Sequence, residues 1–368
     1  MTNLAIIGIS GSGKTVLSTV WAKRMSVRPD TEGNNDSCGY LEPKNWQTKE
    51  YVNDVFADLN QGQWVRSTEQ GTKFDLDWIL HLGKLEVSVK LIDSAGQDLK
   101  GLFLEDTYKQ EIQDTHLVTL LKYIQSAGII IFVMNLQHFR GESNGRVRWR
   151  NEAVYEEPIR MLINQDKWKK VGIVWTAWDL YKDDIENEYG NIEEYVHKEL
   201  NALYNVVLDG RKKGVTIKLF TVAPVWDTET KREGDSAFRV PKANFTSYGL
   251  NDLSVWITEA AKEEQFRMYQ WQAEQGNVNA YNNLGWCYCK GMGVNRDEQN
   301  GMECFLKAAQ QGLTVAQRNL GYLYLNGLGT TKDIEEAKKW YRKAAEQGDK
   351  KSEQILKFLT ETQTESNI

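Results

Sequence analysis

The sequence predicts an α/β fold followed by an all-α solenoid. Residues 1–264 are expected to form a mostly parallel six-stranded sheet covered by helices, with one antiparallel edge strand, and residues 265–368 a stack of helical repeats. Three observations predict this. Short apolar runs alternate with helix-length segments in the first part. Two of those runs, from Phe74 to Ile92, are separated only by a turn at "LGK". The last hundred residues repeat one motif at a fixed interval.

Six runs read as strands: Leu4–Gly8, Lys73–His81, Leu85–Ile92, Gly128–Asn135, Val171–Thr176 and Val215–Ala223. "GIIIFVM", from Gly128, has the length and unbroken apolar character of a buried strand. Most runs are separated by enough chain for the helical crossover that joins parallel neighbours. The pair from Phe74 to Ile92 is not, and reads as an antiparallel hairpin.

The repeat begins after residue 264. "AYNNLGWCYCKGMG" starts at Ala280 and "AQRNLGYLYLNGLG" at Ala316, an offset of 36 that also maps Ala309 onto Ala345 and Gly312 onto Gly348. Stepping back by the same offset makes "FRMYQWQAEQG" the second helix of an incomplete earlier repeat, and stepping forward from Leu320 places Leu356 in a capping helix. A period of this size, with small residues where helices touch, means stacked helical hairpins. Gly291/Gly293 and Gly327/Gly329 suit positive φ in the turns between helices. The motif resembles the Sel-type branch of tetratricopeptide-like repeats, which implies a protein partner bound through these repeats. A short array that only packs on the first domain is the alternative.

Composition narrows the function. With 41% hydrophobic and 26% charged residues the chain has the balance of a soluble globular protein. No apolar run reaches the ~20 residues of a membrane helix. "MTNLAIIGIS" enters a strand at once, without charged leader or cleavage site, so a cytoplasmic location is expected. Residues 265–368 hold 13 Lys/Arg against 12 Asp/Glu, so the first part carries 32 against 39, a formal charge of −7. That argues against a nucleic-acid binder, which needs a basic stripe, and leaves open an anionic ligand in a local pocket. Cys38, Cys287, Cys289 and Cys304 are few and irregular and read as thiols. His81, His116, His138 and His197 show no metal spacing.

"GISGSGKT", Gly8 to Thr15, carries the strongest chemistry. It follows a strand and opens a helix. Its glycines let backbone N–H groups turn inward around a phosphate, and the helix N-terminus adds a favourable partial charge. Gly8, Gly11, Ser12, Gly13, Lys14, Thr15 and Val16 form this expected P-loop cradle. Lys14 should reach the β- and γ-phosphates, and the Thr15 hydroxyl should bind Mg²⁺. The fold expected is therefore that of a P-loop NTPase.

"VKLIDSAGQ" ends a later strand at Asp93, where a carboxylate can orient a water of the Mg²⁺ shell. Gly96 can offer its N–H to the γ-phosphate, and Gln97 follows directly. "GISGSGKT…DSAGQ…TAWD" resembles the TRAFAC-class regulatory GTPases, and within them bacterial GTPases related to the "double-GTPase" group. The resemblance implies a Mg²⁺-dependent switch binding GTP and GDP, with Gln97 orienting the attacking water. It implies a threonine that meets Mg²⁺ and the γ-phosphate; Thr68, in the polar insertion from Arg28 to Thr72, is the choice over Thr72. A signalling or defence setting is a further implication.

In "TAWD" the resemblance makes Thr176 the brace of the phosphate loop and Asp179 the guanine reader. A carboxylate accepts from guanine N1–H and the 2-amino group, which adenine cannot supply. The family's lysine, which lays its stem along the base, is Ala177 here; relaxed base specificity is the alternative. In "LFTVAPV", Thr221-Val222-Ala223 resembles the family's Thr-Ser-Ala turn, which implies the N–H of Ala223 as a donor to guanine O6; a plain strand end is the alternative. The Arg146–Arg150 cluster reads as a solvated basic run on a loop, or as a contact to phosphate or to an acidic partner face, or as an arginine finger supplied in trans. Hydrolysis is expected to be slow without a further cation from a partner or from a second copy of the chain in a homodimer. A nucleotide-bound scaffold that does not hydrolyse is the competing function.

Overall fold

The computed structural model describes residues 4–8, 12–25, 40–64, 73–82, 85–94, 122, 124–140, 145–165, 169–233 and 236–365. The chain forms two compact units, Met1–Thr258 and Glu259–Ile368.

In the first unit, β1 (Leu4–Ile7), β5 (Ile129–Asn135), β6 (Lys170–Thr176) and β7 (Thr216–Thr221) form a parallel sheet in the order β1-β5-β6-β7. Leu4 pairs with Ile129, Ile129 with Lys170, and Lys170 with Thr216. Ile129 to Met134 are buried on both faces, which a central parallel strand between two helical layers requires. Gly172 has a local reason to lack a side chain: a Cβ there would meet Ile131 Cδ1 at 2.8 Å and the Trp256 ring at 3.1 Å.

The hairpin of β3 (Lys73–Leu82) and β4 (Leu85–Ser94) is antiparallel, with Phe74 opposite Asp93. The single six-stranded sheet of the expectation is divided. β3 and β4 join β2 (Tyr40–Pro43) in a separate three-stranded antiparallel sheet, and β4 runs beside β1. The insertion from Arg28 to Thr72 also holds more structure than its polar composition suggests. It contains β2 and α2 (Trp46–Asn60), capped by Asn45, whose side chain accepts from Thr48 N at 2.8 Å. Val52, Val55 and Leu59 form the buried stripe of α2.

The sheet carries α1 (Lys14–Met25), α3 (Gln137–Arg140), α4 (Gly145–Gln165), α5 (Trp178–Tyr189), α6 (Ile192–Glu199) and α7 (Asn201–Lys212). The arginines of the 146–150 cluster open α4 rather than occupying a loop. A second hairpin, β8 (Thr228–Glu233) with β9 (Ser236–Pro241), lies between β7 and α8 (Leu250–Glu274) in sequence. Trp21 of α1 is buried and donates from Nε1 to Ser254 Oγ at 3.0 Å.

The second unit repeats one contact set at the interval read from the sequence. Its helices are α9 (Val278–Lys290), α10 (Glu298–Gln310), α11 (Thr314–Asn326), α12 (Ile334–Glu346) and α13 (Lys350–Glu365). A Cβ on Gly285 would meet the Phe305 ring at 2.7 Å, and one on Gly321 the Tyr341 ring at 2.9 Å. Gly293 has φ +71° and a Cβ there would lie 2.2 Å from Lys262 O; Gly329 has φ +70° and the same relation to Glu298 O at 2.3 Å. Lys262 therefore stands to its turn as Glu298 stands to the next, so the later part of α8 acts as the second helix of an incomplete repeat. Asp297 and Asp333 cap equivalent helices. Leu356 and Leu359 of α13 cover Tyr341 at the end of the stack.

Candidate nucleotide-binding site

In a parallel sheet the loops after successive strands emerge on one edge, where ligands of such folds bind. Three predicted motifs follow β1, β6 and β7 there. β5 lies between β1 and β6, which spaces those two strands by roughly 10 Å. The loop after β1 spans that gap: a Cβ on Gly8 would lie 2.7 Å from Val133 O of β5 and 2.3 Å from Ser12 Oγ. Beyond it, the Thr176 hydroxyl donates to the Ser12 carbonyl at 2.7 Å, and both residues are buried. The phosphate-type loop and the "TAWD" loop are thus tied together directly.

Within the first loop Gly13 has φ +83°, a conformation that favours glycine, and Leu17 N donates to Gly13 O at 2.9 Å as α1 begins. Lys14 is buried. Thr15 and Val16 form the first turn of α1 with it. Ser12 Oγ is buried and lacks a hydrogen-bond partner among the described residues. Such an atom has desolvation to recover, and a phosphate oxygen is an acceptor that could satisfy it. Gly11, Thr68, Gly96 and Gln97 lie outside the described residues. Asp93 is placed by its backbone, near the end of β4 beside β1.

The "TAWD" loop is strained where the alanine stands. Ala177 has φ 59° and ψ 27° and precedes α5 without a side-chain cap. Holding a non-glycine residue there costs of order 1 kcal/mol. The turn leaves Trp178 in the core, 3% exposed, and Asp179 in the first helical turn. Trp178 is therefore packing. Burial pushes the Asp179 carboxyl above the ordinary aspartate range, against the opposing pull of Arg239 and of its own backbone N–H. Arg239 Nη1 lies 3.5 Å from Asp179 Oδ2.

Two features depart from expectation. The Ala223 N–H, expected to face guanine O6, donates instead to Tyr248 O at 3.1 Å, and Tyr248 N returns a bond to Ala223 O at 2.9 Å. A two-bond bridge of this kind uses up the only donor that alanine has. Arg239 was not foreseen at all. Its strand is polar, and the available signal was the Gly234-Asp235 dipeptide between two short alternating runs.

Mg²⁺ prefers hard oxygen ligands, keeps several waters and needs few protein donors. The Thr15 hydroxyl and the Asp93 carboxylate are donors of that kind. No cluster of three or more His, Cys, Asp or Glu suited to a metal occurs among the described residues. Cys287, Cys289 and Cys304 are free. Burial pushes the Cys287 thiol up to about 12 and the Cys289 thiol up to about 11. Among the described residues no helix is long and apolar enough to cross a membrane.

Comparison with known proteins bears on the second unit first. Residues 278–313 and 314–349 each match the Sel1 repeat, a protein-interaction module. A Sel1 repeat protein from Oxalobacter formigenes is similar at 38% identity, over 30% of this chain and 45% of its own, with a TM-score of 0.26. The chain thus spans less than half the length of that relative. For the first unit, two structures whose titles name GDP or GTP are similar at low identity. Roco2 from Methanosarcina barkeri bound to GDP shares 10% identity over 71% of this chain and 48% of its own, with a TM-score of 0.31. The signal recognition particle receptor SRb-GTP/SRX complex from Chaetomium thermophilum shares 16% identity over 62% and 92%, with a TM-score of 0.34. No curated protein matches the chain. Likeness at these scores leaves function to the residues themselves.

Proposed function

We propose that the chain is a Mg²⁺-dependent GTP-binding and GTP-hydrolysing switch whose Sel1 repeats bind a protein partner. The observation that carries the reading is the hydrogen bond from Thr176 to Ser12. It joins the loop with phosphate-binding chemistry to the loop that carries the Asp179 carboxylate, which under this reading would meet the purine edge. Phosphate oxygens would be met by the backbone of Gly11, Ser12 and Gly13 and by Lys14, at the positive end of α1. Mg²⁺, when bound, would neutralise phosphate charge, with Thr15, Thr68 and Asp93 as its protein ligands. Gln97 would orient the attacking water, and Gly96 would sense the γ-phosphate. Asp179 would accept from guanine N1–H and the 2-amino group. Because Ala223 is engaged by Tyr248, guanine O6 draws its donor from elsewhere.

The test is calorimetric titration of GTP, GDP and ATP with Mg²⁺, coupled to phosphate release. Tight GTP and GDP binding with weak ATP binding is expected; equal binding of ATP would end the guanine reading. Lys14→Ala is expected to abolish binding, and Gln97→Leu to keep binding while blocking turnover. Unaltered turnover in Gln97→Leu would remove Gln97 from the mechanism. Affinity capture with the full chain loaded with GTP or GDP tests whether partner binding through the repeats follows the nucleotide.

A further inference from the structure

We infer that Arg239, delivered by the β8–β9 hairpin, is a positioning residue for base recognition: it holds the Asp179 carboxylate oriented and ionised to receive guanine. The inference rests on Asp179 being the base reader. Asp179 is 14% exposed, and a carboxylate removed from water needs a partner to stay charged. Among the described residues Arg239, from β9, is the charge that bears on it, together with the carboxylate's own backbone N–H. Arg239 Nη1 approaches Asp179 Oδ2 at 3.5 Å. An ionised carboxylate has about four acceptor positions. With Arg239 and the backbone N–H each taking one, about two remain for the purine.

The hairpin is built to hold this arginine. Trp64 Nε1 donates to the Arg239 carbonyl at 2.7 Å, which fixes β9 from the far end of the α2 segment. Gly62 lets that segment approach: a Cβ there would lie 3.1 Å from Pro241 O. At its base the hairpin is closed by Asp227, whose carbonyl accepts from Lys242 N at 3.0 Å and whose carboxylate accepts from Thr246 N at 2.9 Å. Ala177 leaves only a methyl group at the residue between Thr176 and Trp178, so the charge beside Asp179 arrives from this separate element.

The experiment measures Mg²⁺-GDP and Mg²⁺-XDP affinity of the full chain between pH 4 and 8. Ionised Asp179 accepts two N–H groups, so GDP binding is lost as pH falls through its pKa. Removing Arg239 removes a lowering influence, and the midpoint of that loss moves to higher pH. Arg239→Ala is expected to weaken GDP binding about fivefold at neutral pH, the scale of a partly exposed pair. Arg239→Lys restores most of it. Trp64→Phe, which removes the donor to the Arg239 carbonyl while keeping an aromatic ring, shifts binding in the same direction and decides the matter if Arg239→Ala fails to fold. Unchanged or tighter GDP binding with an unmoved midpoint would overturn the assignment. Asp179→Asn separates the two layers, because an amide can donate to the xanthine 2-oxo group. If it turns preference from GDP to XDP while Arg239→Ala is silent, only the role of Arg239 falls. If it leaves the GDP preference intact, the base reading falls and this inference with it.

Discussion

Replacing Thr176 by valine tests the link on which the site depends. Valine keeps the branched shape and deletes the hydroxyl that donates to the Ser12 carbonyl at 2.7 Å. Thr176 is 4% exposed and Ser12 1%, so the stranded carbonyl has little access to water. A buried acceptor that loses its donor costs about 1–3 kcal/mol. For a unit of this size each kcal/mol lowers the melting temperature by about 2–4 °C, so a fall of roughly 2–12 °C is expected. If the loop is also released from its binding geometry, a loss of ~1.4 kcal/mol appears as tenfold weaker GDP binding. Thermal melts with and without Mg²⁺-GDP measure both effects. Thr176→Ser keeps the donor and should stay close to the parent in both. A Thr176→Val protein that melts and binds as the parent does would show that the two loops do not depend on this bond.

Other outcomes follow from the same geometry. GDP affinity of the parent should fall on acidification, with a midpoint above the ordinary aspartate value because burial raises the Asp179 carboxyl; a flat profile down to pH 4 would contradict that. Gly321→Ala should destabilise the repeat unit by about 1–3 kcal/mol, since the new methyl would meet the buried Tyr341 ring at 2.9 Å, and a melt of the full chain reads it. Gly293→Ala should be worse, because the obstacle is the Lys262 carbonyl at 2.2 Å and φ is +71°. A variant as stable as the parent would refute the turn geometry. Asp349→Ala should cost about 1 kcal/mol, since that carboxylate accepts from Ser352 N at 3.0 Å at the start of α13 and pairs with Arg318.

The sequence by itself determined the elements whose residues carry their own signal. Apolar runs gave β1, β5 and β6, and a run alternating polar with apolar residues gave β7. The interval from Ala280 to Ala316 gave the helical repeats, because each repeat must bury the same surface against its neighbour. Glycine spacing in "GISGSGKT" marked a backbone that must turn tightly, and Gly13 does so at φ +83°. What the sequence left open were the polar segments. β2, α2 and the β8–β9 hairpin are rich in charged and amide residues, and their order comes from caps and cross-chain bonds such as Asn45 to Thr48 and Trp64 to Arg239. Tertiary structure alone decided that Ala223 spends its N–H on Tyr248, that Thr176 reaches Ser12, and that Arg239 meets Asp179. Such pairings join residues tens to more than a hundred positions apart. Local propensity contains no term for them; they exist only once the sheet order brings the strand ends together.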